Sequence, residues 1–270
     1  MKAVKIQQNQ PLYVFRAACL TLLMLCWCAP AIGEDLWIPM DDGLMTMKKV
    51  IPKTTEWRRM SIHGIRIDLQ SHDFKILRPA EGKVDAVSSM VERSQAIAGI
   101  NGSFFFEDLS PMGLLISEGI QSNGLRKVDW GVFFIDQNGN ADLIHTRDWT
   151  QNKKAEFAIQ TGPRLVVNGK PLTFRDSMAR RSAICVLDGN TVALLATDNA
   201  VLMRDLAVFL SRPESMGGMG CRNALNLDGG SSTHFVVPGK NPSFGVSGFD
   251  RVPVAIGVFK KPVKSPDQRP

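Results

Sequence analysis

The 270-residue sequence predicts a single α+β domain of mixed, mostly antiparallel β-sheets joined by hairpins, with two or more helices packed against them. Three observations carry this reading. Apolar residues recur mainly at period two, the spacing of half-buried strands. Asn-Gly and Asp-Gly pairs punctuate those runs where tight turns need a positive φ. Two segments alone place apolar residues at helical spacing, and no internal repeat or clear linker divides the chain.

In chain order, residues 34–57 are Met-rich, bounded by Pro39 and Pro52, and read as an extended lead-in to a domain spanning 58–260. Met60, Ile62, Ile65, Ile67 and Leu69 nearly alternate, with a break at Gly64, and Phe74, Ile76 and Leu77 follow. Pro79 introduces Val84, Val87, Met90 and Val91, the first helical pattern. A strand at 96–100 then ends in Asn101-Gly102. The middle is hairpin-rich. Residues 132–135 face 141–144 across Asn138-Gly139, and 183–187 face 192–196 across Asp188-Gly189-Asn190. Between them, 157–160 leads into 164–167 and a turn at Asn168-Gly169. A second helix is expected over 202–210, stopped by Pro213 and a glycine-rich loop, Gly217 to Gly220. Residues 224–227 form a strand, Gly229-Gly230 a turn and 233–237 a return strand. The last strand is 252–259, and 261–270 is a Pro- and Lys-rich, disordered tail.

A 44% hydrophobic, 21% charged composition excludes global disorder and collagen-like repetition. Residues 1–16 carry Lys2, Lys5 and Arg16 and no acid; an apolar run over 17–28 and the small residues Ala29 to Gly33 follow. That sequence reads as a secretory signal cut after Gly33, and the run is short for a bilayer span. Cleavage lowers the formal charge from +6 to +3 and removes Cys19, Cys26 and Cys28. Cys185 and Cys221 remain, either paired in an oxidising compartment or apart. The expected location is therefore secreted or periplasmic, with no stable membrane span in the mature chain. A nucleic-acid partner is not expected, since the basic residues are scattered and the single Tyr, Tyr13, falls in the signal.

HExxH, paired CxxC, P-loop and GxGxxG signatures are absent, and Gly229-Gly230-Ser231-Ser232-Thr233 lacks the second glycine of a nucleophile elbow. The four histidines are not spaced for zinc. Four segments stand out. Asn101, at a strand end in Asn101-Gly102-Ser103-Phe104-Phe105, offers an amide to a ligand, although Asn-Gly is also the commonest tight turn. Pro111 to Gly119 is a strand closed by Glu118, a solvated turn residue or an acid. Arg180-Arg181-Ser182-Ala183 runs two arginines into a strand, where side-chain alternation lets only one share a given face. The bland alternative is a surface charge pair. In Ala224-Leu225-Asn226-Leu227-Asp228-Gly229-Gly230-Ser231-Ser232 a strand delivers Asp228 beside glycine N–H groups and hydroxyls. Such donors hold anions, and the carboxylate can do acid–base work.

Together these segments resemble the phosphodiester glycosidase family, with "NGxFF", "PxGLxIxxG", "GPxLxxxGK", "R-[ST]-A" and "ALNLDGGxSS" patterns in that order. They stand here at Asn101 to Phe105, Pro111 to Gly119, Gly162 to Lys170, Arg181 to Ala183 and Ala224 to Ser232. Ser103, Cys185 and a long loop over 212–221 depart from the pattern. The resemblance implies hydrolysis of a glycosidic bond to phosphate in a sugar-1-phosphodiester, on an N-acetylglucosamine-type glycan or a cell-envelope or exopolysaccharide substrate. It assigns Asp228 as base or nucleophile, with Glu118 and Asp198 as candidates for a second carboxylate. Arg181, helped by Gly229, Gly230, Ser231 and Ser232, would hold the phosphate, and Asn101 and Asn226 would bind substrate. No cofactor is expected; a divalent cation at Asp228 and Asn226 would have a sparse ligand set. The alternative is a non-catalytic envelope protein that binds anionic glycans or serves exopolysaccharide export, using the same groove without two converging carboxylates.

Overall fold

The computed structural model describes residues 37–40, 43–55, 58–80, 82–239 and 244–262. The predicted signal, 1–33, and most of the predicted tail, 263–270, lie outside the described residues.

Among the described residues the strands form three main sheets and a short ribbon, numbered here along the chain, and every recorded pairing is antiparallel. The first sheet runs β1 (Ile38–Pro39), β2 (Met45–Ile51), β3 (Met60–Asp68), β15 (Thr191–Thr197), β14 (Ser182–Val186), β17 (Asn223–Asn226), β11 (Arg164–Val167) and β12 (Lys170–Pro171). The second runs β7 (Ile120–Asn123), β6 (Leu115–Ser117), β10 (Ala155–Thr161), β8 (Gly131–Asp136) and β9 (Ala141–His145). The third runs β19 (Phe244–Val246), β18 (Phe235–Val237), β5 (Ala98–Asn101), β20 (Ala255–Lys260) and β4 (His72–Leu77). β13 (Met178–Ala179) pairs with β16 (Val201–Leu202).

The first sheet is buried on both faces, and its strands show why alternation alone under-reads such a sheet. In β14, Ile184 and Val186 join Leu194 of β15, Leu225 of β17 and Phe133, Phe157 and Phe235 of the other sheets in the central core. Ala183 and Cys185 face the other way, into a layer capped by α2 (Met203–Ser211) through Leu206, Phe209 and Leu210. The same split explains the break at Gly64: Met60 and Ile62 point to the α2 layer, Ile65 and Ile67 to the centre. The other helix, α1 (Val87–Ser94), lays Val87, Met90 and Val91 on the outer face of the third sheet. It starts later than Val84 because Asp85 is already bridged to Val252.

Three sequence expectations change. The lead-in is partly domain: β2 pairs with β3 from Met45↔Arg66 to Ile51↔Met60, and Met47 is core, so the fold begins well before residue 58. Lys48 and Lys49 hid that strand by breaking its apolar pattern. Residues 157–160 and 164–167 belong to different sheets, as do 224–227 and 233–237. The second pair is therefore a crossing between sheets rather than a strand and its return, and Asp228 sits on that crossing. The hairpins β8–β9 and β14–β15 form in the expected registers. No helix among the described residues is long and apolar enough to cross a membrane.

Cys185 and Cys221 form a disulfide with a Cα–Cα distance of 5.5 Å, both buried in the α2 layer. It ties the loop after α2 to the sheet's centre across 36 residues. On loop-closure entropy, Cys185→Ser with Cys221→Ser should lose about 3–4 kcal/mol of stability, measured as a shift of the urea midpoint.

Candidate active site

The crossing at Asp228 gathers strand ends from all three sheets. β17 and β14 meet at Asn226↔Ala183, β5 contributes Asn101 and β10 contributes Thr161 just before the Gly162–Pro163 turn. Asn101 is 0% exposed, and both its Nδ2 and its Oδ1 are hydrogen-bonded. Its Nδ2 donates to the Asp228 carbonyl at 2.7 Å, and its Oδ1 accepts from the Ser182 hydroxyl at 2.6 Å and the His234 N–H at 3.0 Å. Asn101 therefore positions the crossing through bonds at both ends of its amide. Asn226 is built similarly: its Nδ2 donates to the carbonyls of Gly162 and Leu227 at 2.9 and 2.6 Å.

Asp228 is half-buried, its N–H donating to the Gly102 carbonyl at 3.1 Å. Burial raises its pKa above the ordinary carboxylate value, and the nearby charge of Asp250 adds to the rise. Hydrogen bonds from the Ser232 hydroxyl and the Gly229 N–H, the latter 2.8 Å, pull the other way. Both glycines are required. A Cβ at Gly229 would meet the Arg180 carbonyl at 2.8 Å, and Gly230 has φ +64°. Their N–H groups, expected to cradle an anion, are committed: Gly229 to Asp228 and Gly230 to the Arg180 carbonyl at 2.8 Å. The short 3₁₀ turn at Gly230–Ser232 folds them inward. Ser231 is exposed, and its carbonyl accepts from the N–H groups of Phe249 and Asp250.

The arginines divide as alternation requires, and it is Arg180 that faces the crossing. Its Nη2 donates to the carbonyls of Ser247 at 2.7 Å and Thr233 at 3.4 Å, and its guanidinium lies 5.2 Å from the Phe249 ring centroid. Arg181 turns to the opposite side, where Nη2 donates to the Ser177 carbonyl and hydroxyl. Burial lowers the pKa of both, and for Arg180 the charge of Asp198 opposes the drop. Asp198 is thus within electrostatic reach of Arg180, and of His63 on β3.

Glu118 is elsewhere. It is 65% exposed and ion-paired with Lys75 at 2.6 Å. Its turn faces Glu156, five residues back along β10 from Thr161 and so roughly 16 Å from the crossing. The antiparallel register of β6 on β10, invisible in the sequence, puts it at the wrong end of the sheet.

Two residues that sequence reasoning missed complete the site. His234, buried, accepts the Gly248 N–H at Nδ1 and donates from Nε2 to the Asp250 carbonyl at 2.6 Å. A ring so bonded is neutral, and burial lowers its pKa. It clamps segment 247–250, which brings Asp250 toward Asp228 and leaves Phe249 83% exposed on the rim. The one signal in the sequence was a lone His directly after the Gly-Ser-Ser-Thr segment. On the facing wall Phe104 packs against Trp130, with centroids 5.2 Å apart. Among the described residues, Ser103 Oγ, Thr161 Oγ1, Thr233 Oγ1, Asn226 Oδ1 and Arg180 Nε are buried without a hydrogen-bond partner. Among the described residues no three His, Cys, Asp or Glu side chains gather as a metal site.

A phosphodiester glycosidase family model matches residues 94–259. The chain is 27% identical over 243 residues to the SPbeta prophage-derived uncharacterized protein YomE of Bacillus subtilis strain 168, covering 82% of this chain and 37% of that one. The chain thus spans little more than a third of that relative's length. Among solved structures, the zebrafish N-acetylglucosamine-1-phosphodiester alpha-N-acetylglucosaminidase catalytic domain, auto-inhibited by its pro-peptide, superposes with TM-score 0.63. It is 18% identical, over 81% of this chain and 83% of that one. A hypothetical protein from Synechocystis superposes with TM-score 0.59 at 15% identity, over 83% and 63%.

Asn101→Ala should cost about 3–5 kcal/mol, because three buried groups lose their partner at once; chemical denaturation reads this directly. Acid should loosen the rim. With its folded pKa below the ordinary 6.5, His234 resists a proton that the unfolded chain accepts, so stability falls as pH drops through 6.5. His63 acts with the same sign. Melting temperatures between pH 7.5 and 5.5 should fall, and should fall less in His234→Asn.

Proposed function

Because the chain belongs to the phosphodiester glycosidase family, we propose that it is a hydrolase of sugar-1-phosphodiesters, acting on a glycan of the cell envelope or an exopolysaccharide. The observation that carries this is Asp228: a half-buried carboxylate at the crossing between sheets, its pKa raised by burial and by the nearby charge of Asp250. Burial that disfavours the charged carboxylate makes it a readier proton acceptor than one in open water.

In the reaction, Asp228 takes the proton of an attacking water whose oxygen bonds the anomeric carbon. The glycosidic C–O electrons leave with the phosphate oxygen. A phosphodiester is a good leaving group, so the heavier demand falls on binding its charge and on the oxocarbenium-like sugar. Arg180 takes the phosphate, the role first given to Arg181, and the exposed Ser231 hydroxyl assists. Asp250 is the second carboxylate, close enough to raise the pKa of Asp228 and to stabilise positive charge on the ring. Asp198 offsets Arg180. Phe104 and Trp130 form the apolar wall for the sugar. The protein works outside the cytoplasm in this reading; the buried Cys185–Cys221 disulfide supports an oxidising compartment.

A panel of p-nitrophenyl glycosides and sugar-1-phosphodiesters tests the reading. Asp228→Asn should fold and lose roughly 10²–10⁴-fold in kcat. Arg180→Ala should raise KM for phosphodiesters more than for p-nitrophenyl glycosides, whereas Arg181→Ala should change the two substrates alike. Full activity in a folded Asp228→Asn, or no hydrolysis of any phosphodiester by the wild type, would overturn it.

A further inference from the structure

Beyond the crossing, the same end of the first sheet carries a second feature. Across that end the strands run β17, β14, β15, β3, β2, and the residues leaving them are Asp228, Arg180, Asp198-Asn199, Arg58-Arg59 and Lys53. Lys53, Arg58, Arg59, Asn199 and Arg204 line a cleft of ≈ 470 Å³ floored by Met178 and Leu202. Of its cations, Arg204 is engaged, with Asp176 at 2.7 Å and Asp205 at 3.5 Å. Asp205, the one carboxylate lining it among the described residues, is buried and also accepts the Arg58 N–H at 3.2 Å. The side chains of Lys53, Arg58 and Arg59 are exposed and form no ion pair among the described residues. Three like charges held in one concavity repel one another, and an anion relieves that repulsion.

We propose that this cleft is a second anion subsite, which holds a phosphate of the aglycone chain and makes the substrate a repeating phosphodiester polymer rather than a single sugar phosphodiester. The inference rests on the proposed function above and deepens it. Three strand spacings separate β17 from β3, roughly 14 Å. A substrate cleaved at Asp228 must extend that far along its leaving-group side to reach Arg58 and Arg59, which requires several units carrying more than one charge. Arg180 lies between the two points, at the phosphate that leaves.

The test uses two synthetic substrates that share one sugar-1-phosphodiester bond, one with a methyl aglycone and one with three glycerol-phosphate repeats. The wild type should show a KM roughly tenfold lower for the longer substrate, and high salt should abolish the difference. Arg58→Ala with Arg59→Ala should erase that advantage and leave the short substrate unchanged; Lys53→Ala should weaken it. Equal KM values for the two substrates, or an advantage that survives the double variant, would overturn the subsite. A binding arm is independent of turnover: calorimetric titration of Asp228→Asn with poly(glycerol phosphate) and with a single-stranded oligonucleotide. Tighter binding of the glycerol-phosphate chain that depends on Arg58 and Arg59 supports the subsite, even if no substrate is hydrolysed and the proposed function falls. An oligonucleotide bound as tightly would overturn it.

Discussion

The buried amide of Asn101 is the constraint on which the site depends. One side chain, sealed from solvent, joins β5 of the third sheet to Ser182 of the first, to the Asp228 carbonyl and to the His234 N–H. Each is a group that burial would otherwise leave unpaired, so the bonds are hard to exchange for alternatives. The result is a fixed relation between two sheets at the point where the chain steps from one to the other. Asp228 inherits its position from that relation, and His234 extends it to segment 247–250 and Asp250.

A consequence is that the glycines of the crossing act on shape and not on substrate. With the N–H groups of Gly229 and Gly230 turned inward, any anion here must be met by side chains, chiefly the Arg180 guanidinium and hydroxyls. Arg180 is suited to this because two backbone carbonyls and the Phe249 ring hold its plane, leaving a pre-set fork of donors. The same neighbours limit its freedom, which reduces the entropy lost when a phosphate binds.

Much of this was legible in the sequence, and the misses have physical causes. The hairpins β8–β9 and β14–β15 were readable because their turns are local and chemically marked. Asp228 was readable because an apolar strand ends directly at it. The role of Asn101 was misread because the amide that contacts a ligand and the amide that staples two sheets look alike in one dimension. Which arginine turns toward Thr233 and Ser247 and which toward Ser177 was not readable, because parity separates the two without saying which goes where. That depends on Ser182 reaching Asn101, a contact 81 residues apart. Glu118 was placed near the site for lack of register, and β2 was missed because Thr46, Lys48 and Lys49 interrupt its apolar pattern.

The first sheet also explains how polarity is arranged along one edge. Its interior is mainly apolar on both faces, and the Cys185–Cys221 bond ties the loop after α2 to it. Chemistry is displaced to the strand ends. At the end where β17, β14, β15 and β3 terminate or begin, antiparallel pairing brings together segments that are distant in sequence: Arg58-Arg59, Arg180, Asp198 and Asp228. A row of charges along that end follows from the topology, because every second connection must emerge there. The row alternates in sign: Asp228, with Asp250 near it, and Asp198 stand on either side of Arg180 in the strand order. That placement sets acidic and basic side chains that are distant in sequence along one end of the sheet.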